Sequence, residues 1–226
     1  MITKLEDALN GNYPQVYAEV VTEDSYKINS LNFVPDVIYD IGANVGVFTR
    51  FALQKFPKAK VIAVEPNEDN VDVLLRFTPA SSNLVVSPVA LGRGQLYRNI
   101  DAPNGAHSSY LSVSDQISQK DLDESKNMIK SSTLSYTLDE LVDHHIFDKK
   151  TLIKIDIEGN ENVIWEDFAS LKTLAKFDYI AMEIHPHALT GVESEKAKRN
   201  LANAITFLKQ THNVDYKHIY LTARKK

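Results

Sequence analysis

At 226 residues the chain is long enough for one large domain, and with 43% hydrophobic and 9% aromatic residues it can bury a full core. Thirty acidic against 25 basic residues leave a net charge of −5, which argues against a nucleic-acid footprint; the basic ending Arg224-Lys225-Lys226 is a tail, not a groove. The absence of cysteine excludes disulfides, thiolate nucleophiles and cysteine-ligated zinc.

Residues 1–32 read as a cap on a domain spanning 33–226: a short helix over Thr3–Asn10, then an extended stretch over Val16–Ile28, with no chemistry legible in either. Val37-Ile38-Tyr39 is a β-favouring run that leads at once into Asp40-Ile41-Gly42-Ala43-Asn44-Val45-Gly46. Val47, Phe48, Phe51, Ala52 and Phe56 then fall on one helical face until Pro57 stops it. That is a buried strand, a glycine turn and a helix. Gly42 and Gly46 remove Cβ atoms where the chain turns and let a ligand approach, while the helix start offers unpaired N–H groups. Ala59–Val64 is a second strand, ending at Glu65-Pro66-Asn67. Glu65 stands about where a doubly wound fold places an acid that bonds a ribose diol. The glycines are spaced Gly-x-x-x-Gly, not Gly-x-Gly-x-x-Gly, and a carboxylate precedes the first. Such a carboxylate repels a pyrophosphate and suits a cationic amino-acid ligand, so the pattern favours S-adenosyl-L-methionine over NAD.

Farther along, Pro66-Asn67 opens a helix with Val71, Leu74, Leu75 and Phe77 inward, and Pro79–Asn83 is a loop. Leu84–Ala90 is a third strand; its ending, Ala90-Leu91-Gly92, lies beside an adenine or is a plain turn. Gln95–Ile100 and Ser109–Val113 make a hairpin around Pro103-Asn104-Gly105. Ser114–Ser132 is polar and reads as a solvated loop or a lid. Thr137-Leu138-Asp139-Glu140 fits a capping box, with Leu138, Leu141 and Val142 buried and His144 and His145 at the surface. Thr151–Asp156 is the fourth strand; Glu158-Gly159-Asn160 turns it into a helix faced by Val163, Ile164, Phe168 and Leu171. Tyr179–Ile184 is the fifth strand, Ser194–Gln210 a helix, and Val214–Ala223 one or two short strands. Strands alternating with helices indicate an α/β parallel sheet.

In such a sheet ligands sit outside the carboxyl ends of the strands. The polar residues there are Asp40, Glu65, Asp156 with Glu158, and Glu183 with His185. Any one carboxylate at a strand end is often only a turn or cap; several converging on one edge are harder to explain that way. Lys154, Asp156 and Glu158 alternate along one face, as a structural ion-pair cluster or a catalytic one. Glu183, His185 and His187 alternate as divalent-metal ligands would. Pro186 breaks that geometry, so no metal is expected and His185 serves better as a general base.

These pieces together resemble the FkbM family of class I S-adenosylmethionine-dependent methyltransferases. The resemblance rests on 40–46, Val64-Glu65-Pro66-Asn67, Val89-Ala90-Leu91-Gly92, Thr137-Leu138-Asp139-Glu140-Leu141, Lys154-Ile155-Asp156-Ile157-Glu158-Gly159-Asn160-Glu161 and Met182-Glu183-Ile184-His185, in the family's order. It implies a Rossmann-like fold with a mostly parallel central sheet and helices on both faces, and O-methylation of a hydroxyl on a sugar or other small biosynthetic substrate. It implies a cofactor site at Asp40, Gly42, Asn44 and Glu65, flanked in the same motifs by Ala43, Gly46, Pro66, Asn67, Ala90 and Leu91. The acceptor hydroxyl must lose its proton, and His185 is expected as the base, among Lys154, Asp156, Glu158 and Glu183. An NAD-linked sugar oxidoreductase and a binding module without turnover are the competing readings. The chain departs from the family at Leu75-Arg76-Phe77-Thr78-Pro79, which lacks a Lys-Asn ending, and at Asn160, where alanine is usual. An Asn/Asp-Pro-Pro-Tyr/Phe signature is absent, which disfavours amide and base nitrogens as targets. With no apolar run of about 18–20 residues and no signal-peptide core, a cytoplasmic protein with a small-molecule or glycan acceptor and no membrane or nucleic-acid partner is expected.

Overall fold

Val37–Ile41 (β1) is buried along its whole length, as a strand covered on both faces must be. In a computed structural model that describes residues 13–99, 110–114, 117–185 and 195–226, it lies at the centre of a seven-stranded sheet. Its neighbours are Lys60–Val64 (β2) and Leu84–Ser87 (β3) on one side. On the other lie Thr151–Ile155 (β9), Tyr179–Glu183 (β10), Tyr220–Lys225 (β12) and His212–Lys217 (β11). Strands β3, β2, β1, β9 and β10 are parallel, and β12 runs antiparallel to β10 and β11. This is the Rossmann-like arrangement that the resemblance implies. Helices Val47–Lys55, Glu68–Phe77 and Glu195–Leu208 follow β1, β2 and β10.

Alternate residues of the central strands feed two cores. Tyr39, Ile41, Ile153, Ile155, Ile180 and Met182 meet Trp165, Leu174, Phe177, Leu201 and Leu208 on one face. Ile38, Val61, Leu152 and Ala181 meet Phe48, Ala52, Val20, Tyr26 and Ile28 on the other.

Several elements differ from the sequence reading. Residues 16–28 are not extended: Pro14–Tyr17 is helical, Ala18–Thr22 a π-helical turn and Ile28–Ser30 a 3-10 turn. Pro14 presets the helical φ at the first position, which outweighs the β preference of Val20-Val21. The third strand stops at Ser87, because Pro88 has no N–H for the ladder; Ala90–Leu91 (β4) pairs instead with Ser135–Tyr136 (β8). The segment 114–132 holds a helix, Gln119–Glu124, and a strand, Met128–Ser131 (β7). Strand β7 and Tyr110–Leu111 (β6) flank Leu96–Asn99 (β5), so the hairpin pairing of β5 with β6 is as expected. Ile117, Leu122, Met128, Tyr97 and Leu111 close a small core there, so a few apolar residues suffice to fix it. The helix after β9 is broken at Asp167, whose carboxylate caps Phe168–Leu174, leaving Phe168 exposed; Leu75 is exposed as well. The helix over 3–10, the turn 103–105, Pro186 and His187 lie outside the described residues. Among those described, no helix is long and apolar enough to cross a membrane.

Candidate active site

Strands β1 and β9 pair with Asp40 beside Lys154 and Ile41 beside Ile155. The order of the sheet reverses at this pair, so the chains leaving their carboxyl ends diverge and open a crevice. Gly42 sits at φ +76°, and a Cβ there would lie 1.7 Å from the Asp156 carbonyl oxygen. Gly46, at φ +86°, opens the next helix, where a Cβ would lie 2.7 Å from Leu74 Cγ. Both glycines therefore let protein chains approach each other, and Gly42 in addition borders the open space above the strand ends. Asn44 and Glu158, without glycine's freedom, also take positive φ, a strain that gathers at functional sites.

Beneath the crevice Lys154 ties the two loops together. Its Nζ donates to the Gly42 carbonyl at 2.7 Å and faces Asp40 Oδ1 at 3.3 Å and Asp156 Oδ2 at 3.4 Å. Burial opposes its charge, but Asp156 and Asp40 outweigh burial and raise its pKa above the usual lysine value. Asp40, fully buried, also accepts from Thr49 Oγ1 at 2.6 Å. Lys154 and Asp40 thus hold the loops in place. Asp40 borders neither cavity described next; it lies beneath them, joined to both through Lys154.

Two cavities meet above this ion pair. The narrower, about 40 Å³, is bounded by Glu65, Pro66, Ala90, Leu91 and Tyr110. The larger, about 260 Å³, is bounded by Glu19, Tyr26, Ala43, Lys154, Glu183 and His185. Gly42, Asn44, Asp156 and Glu158 border both. In the narrow cavity Glu65 closes β2 as expected. Its Oε2 accepts from the Asn44 N–H at 2.8 Å, and its Oε1 from the Asn67 N–H at 2.9 Å and Asn70 Nδ2 at 3.3 Å. Burial keeps its pKa above the ordinary value despite these donors. Three of a carboxylate's roughly four acceptor places are taken. A ribose diol can take both oxygens only if a present donor yields, and the small volume likewise requires the walls to part.

The residues otherwise fit S-adenosylmethionine. Apolar Val89, Ala90, Leu91 and Ile157 offer a surface for an adenine, Glu65 an acceptor for a ribose, and Asp156 and Glu158 negative charge where a sulfonium and an ammonium would lie. Pro66 borders this cavity, whereas Asn67 caps the following helix by accepting from the Asp69 N–H. Gly46 borders neither cavity.

Around the larger cavity His185, the expected base, is held among carboxylates. Its Nδ1 lies 3.0 Å from Glu161 Oε1, and its Nε2 lies 3.3 Å from Glu183 Oε1 and 3.6 Å from Glu158 Oε2. Burial opposes its charge, but hydrogen bonds to Glu161 and Glu183, with the charges of Glu161 and Asp156, outweigh it and push the pKa up to about 12. An imidazolium has no lone pair with which to take a proton. Glu161, nearly fully buried, also accepts from the Gly159 and His185 N–H groups, so it locks turn and histidine together. Asp156 Oδ2 accepts from the Tyr26 hydroxyl at 3.1 Å, and Glu183 Oε2 from the same hydroxyl at 3.5 Å.

Sequence reasoning missed Glu19, Tyr26 and the role of Glu161. Glu161 closes a quoted motif, a signal that was available. Glu19 and Tyr26 come from a segment whose pattern carries no such signal. Asn160, the family departure, is buried and structural: its Nδ2 donates to the Leu91 carbonyl at 2.8 Å and its Oδ1 accepts from the Ser112 N–H at 3.0 Å.

A family model described as the methyltransferase FkbM domain matches residues 40–217. Hexuronic acid methyltransferase AglP of Haloferax volcanii is 27% identical over 175 residues, 75% of this chain and 62% of that protein. Methyltransferase sdnD of Sordaria araneosa is 39% identical over 61 residues, 27% of this chain and 23% of that protein. The chain thus spans less than two thirds of the length of either relative. Among solved structures, precorrin-6y C5,15-methyltransferase from Geobacter metallireducens is similar at a TM-score of 0.43 and 14% identity, over 91% of this chain and 88% of that one. With the matched model covering most of its length, the chain belongs to the FkbM family of S-adenosyl-L-methionine-dependent methyltransferases.

Proposed function

We propose that the chain transfers the methyl group of S-adenosyl-L-methionine to a hydroxyl of a sugar or another small biosynthetic acceptor. The observation that carries this reading is the meeting of the two cavities at Gly42, Asn44, Asp156 and Glu158, one suited to an adenosyl group and the other ringed by carboxylates. When bound, S-adenosylmethionine supplies an electrophilic methyl on a cationic sulfur. The chain's own work is positioning, since in-line displacement depends on alignment. Asp156, Glu158 and Glu183 can accept hydrogen bonds from several hydroxyls at once, and His185, held cationic, can donate one. This lining suits a polyol and repels a phosphodiester backbone, so a small-molecule or glycan acceptor is proposed and a nucleic acid is not. The AglP relative, named for a hexuronic acid, lends support to a sugar-like acceptor.

Labelled S-adenosylmethionine offered with hexoses, hexuronic acids, nucleotide sugars and amines tests the reading. The expected result is label in a hydroxyl acceptor as a methyl ether that survives mild alkali. Label confined to amines, or lost as an alkali-labile ester, contradicts it.

A further inference from the structure

Glu19 belongs to the π-helical turn Ala18–Thr22, where the Glu23 N–H reaches the Ala18 carbonyl at 2.8 Å. Tyr26 fastens the segment to the sheet: its ring packs edge-on against Phe48 and Tyr220, and its own carbonyl accepts from the Tyr179 hydroxyl at 3.0 Å. This brings the Glu19 carboxylate over the larger cavity, with one oxygen each of Glu19, Asp156 and Glu183 within 4.8 Å of one another. Asp156 borders both cavities, so an acceptor oxygen beside it at the junction is within reach of Glu19. Glu19 Oε1 is buried and has no hydrogen-bond partner among the described residues. Glu19 also hydrogen-bonds Tyr26 and Glu183, so Oε1 is the oxygen left to receive a proton. The rival bases are held by charged partners: His185 by Glu161, Asp156 by Lys154, and Glu183 by His185.

We infer that Glu19 is the catalytic group that takes the acceptor's hydroxyl proton, so that the N-terminal segment supplies the base and the strand ends supply the binding site. This rests on the methyl-transfer reading above. In the step, the acceptor oxygen forms its bond to the methyl carbon as the carbon–sulfur bond breaks and the electron pair returns to sulfur. The hydroxyl proton passes to Glu19, which becomes a neutral acid and later releases the proton to solvent. The groups facing Glu19 are Glu183 from β10, Asp156 after β9, and Tyr26 and Tyr220, with Lys154 beneath and His185 across the cavity. Burial, then the charges of Glu183 and Asp156, push its pKa up to about 7, which is well matched to a base working near neutrality.

The test joins carboxyl-selective carbon NMR on glutamate-labelled protein with turnover of the wild type, Glu19→Gln and Glu19→Asp. Glu19→Gln keeps the shape, and Glu19→Asp keeps the acid with a shorter reach. Expected are one glutamate titrating near neutrality that vanishes in Glu19→Gln, and wild-type turnover rising with pH through that midpoint. Glu19→Gln should lose about 100-fold or more in kcat without that rise, Glu19→Asp should lose less, and S-adenosylhomocysteine affinity should stay within about twofold in both. Normal turnover by Glu19→Gln overturns the inference and leaves the methyl-transfer reading intact. Wild-type protein that methylates no hydroxyl overturns both. Wild-type activity abolished by EDTA and restored by magnesium makes a bound cation, among Glu19, Asp156 and Glu183 or among Asp156, Glu158 and His185, the activating group and overturns the role of Glu19 as base.

Discussion

A single buried carboxylate, Glu161, holds the turn after β9 and the imidazole of His185 together. Replacing His185 with glutamine leaves that carboxylate without its cationic partner, so a loss of about 3 kcal/mol in denaturant unfolding is expected. The pH dependence has a definite sign. The folded pKa, about 12, lies above the ordinary 6.5, so the stabilisation is complete below 6.5 and is lost as pH rises toward 12. Wild type should weaken steadily above neutrality and His185→Gln should show less of that slope; equal slopes would place the proton elsewhere. His185 was legible as a polar residue closing a strand. The identity of its partner was not, because Glu161 lies in a different βα turn and no spacing rule links the two. Glu65 was legible for the opposite reason, since its place after the second strand is fixed by the topology of the βαβ unit. Asn160 was legible only as a departure; its bonds to Leu91 and Ser112 depend on β4, an element the sequence did not separate from the third strand.

Among the elements, the glycine turn after β1 is where geometry constrains the chain most tightly. A methyl group at Gly42 would meet the Asp156 carbonyl, whereas at Gly94, also at positive φ, nothing lies within 4 Å. Gly42→Ala is therefore expected to cost about 2–4 kcal/mol from strain and overpacking together, and Gly94→Ala about 1 kcal/mol from backbone strain alone. Thermal melts of the two variants check this; equal losses would mean that Gly42 is needed only for its φ. The parallel strands were readable as continuous apolar runs, and the capping box at Thr137 and Glu140 forms as its spacing indicates, with the Thr137 N–H 2.9 Å from Glu140 Oε2. The small sheet of β5, β6 and β7 was not readable as such. Its core is five residues scattered from Tyr97 to Met128, too sparse to give either periodicity. Pro14 and Asp167 each override the local pattern with one strong backbone effect, a preset φ and a helix cap.

At the scale of the molecule, the reversal of strand order between β1 and β9 places the narrow cavity with Glu65 on the β2 side and the carboxylate-ringed cavity on the β10 side, with Lys154 joining their floors. The N-terminal segment completes the second cavity: Tyr26 and Ile28 enter the core on the Phe48 face of the sheet, and the Ser30 carbonyl accepts from Arg224 at 2.9 Å. Function was therefore divided unevenly in the sequence. The narrow cavity is lined by local motifs on consecutive strands, while the larger one is assembled from residues far apart, including a segment that reads as a plain cap. Calorimetric titration of S-adenosylhomocysteine, with NAD as the comparison ligand, reads out cofactor recognition. One site for S-adenosylhomocysteine and no heat from NAD are expected. Glu65→Ala should lose at least tenfold in affinity, the scale of one hydrogen bond to a charged group, about 1.5–3 kcal/mol. Absence of S-adenosylhomocysteine binding, or equal affinity in Glu65→Ala, would contradict the account.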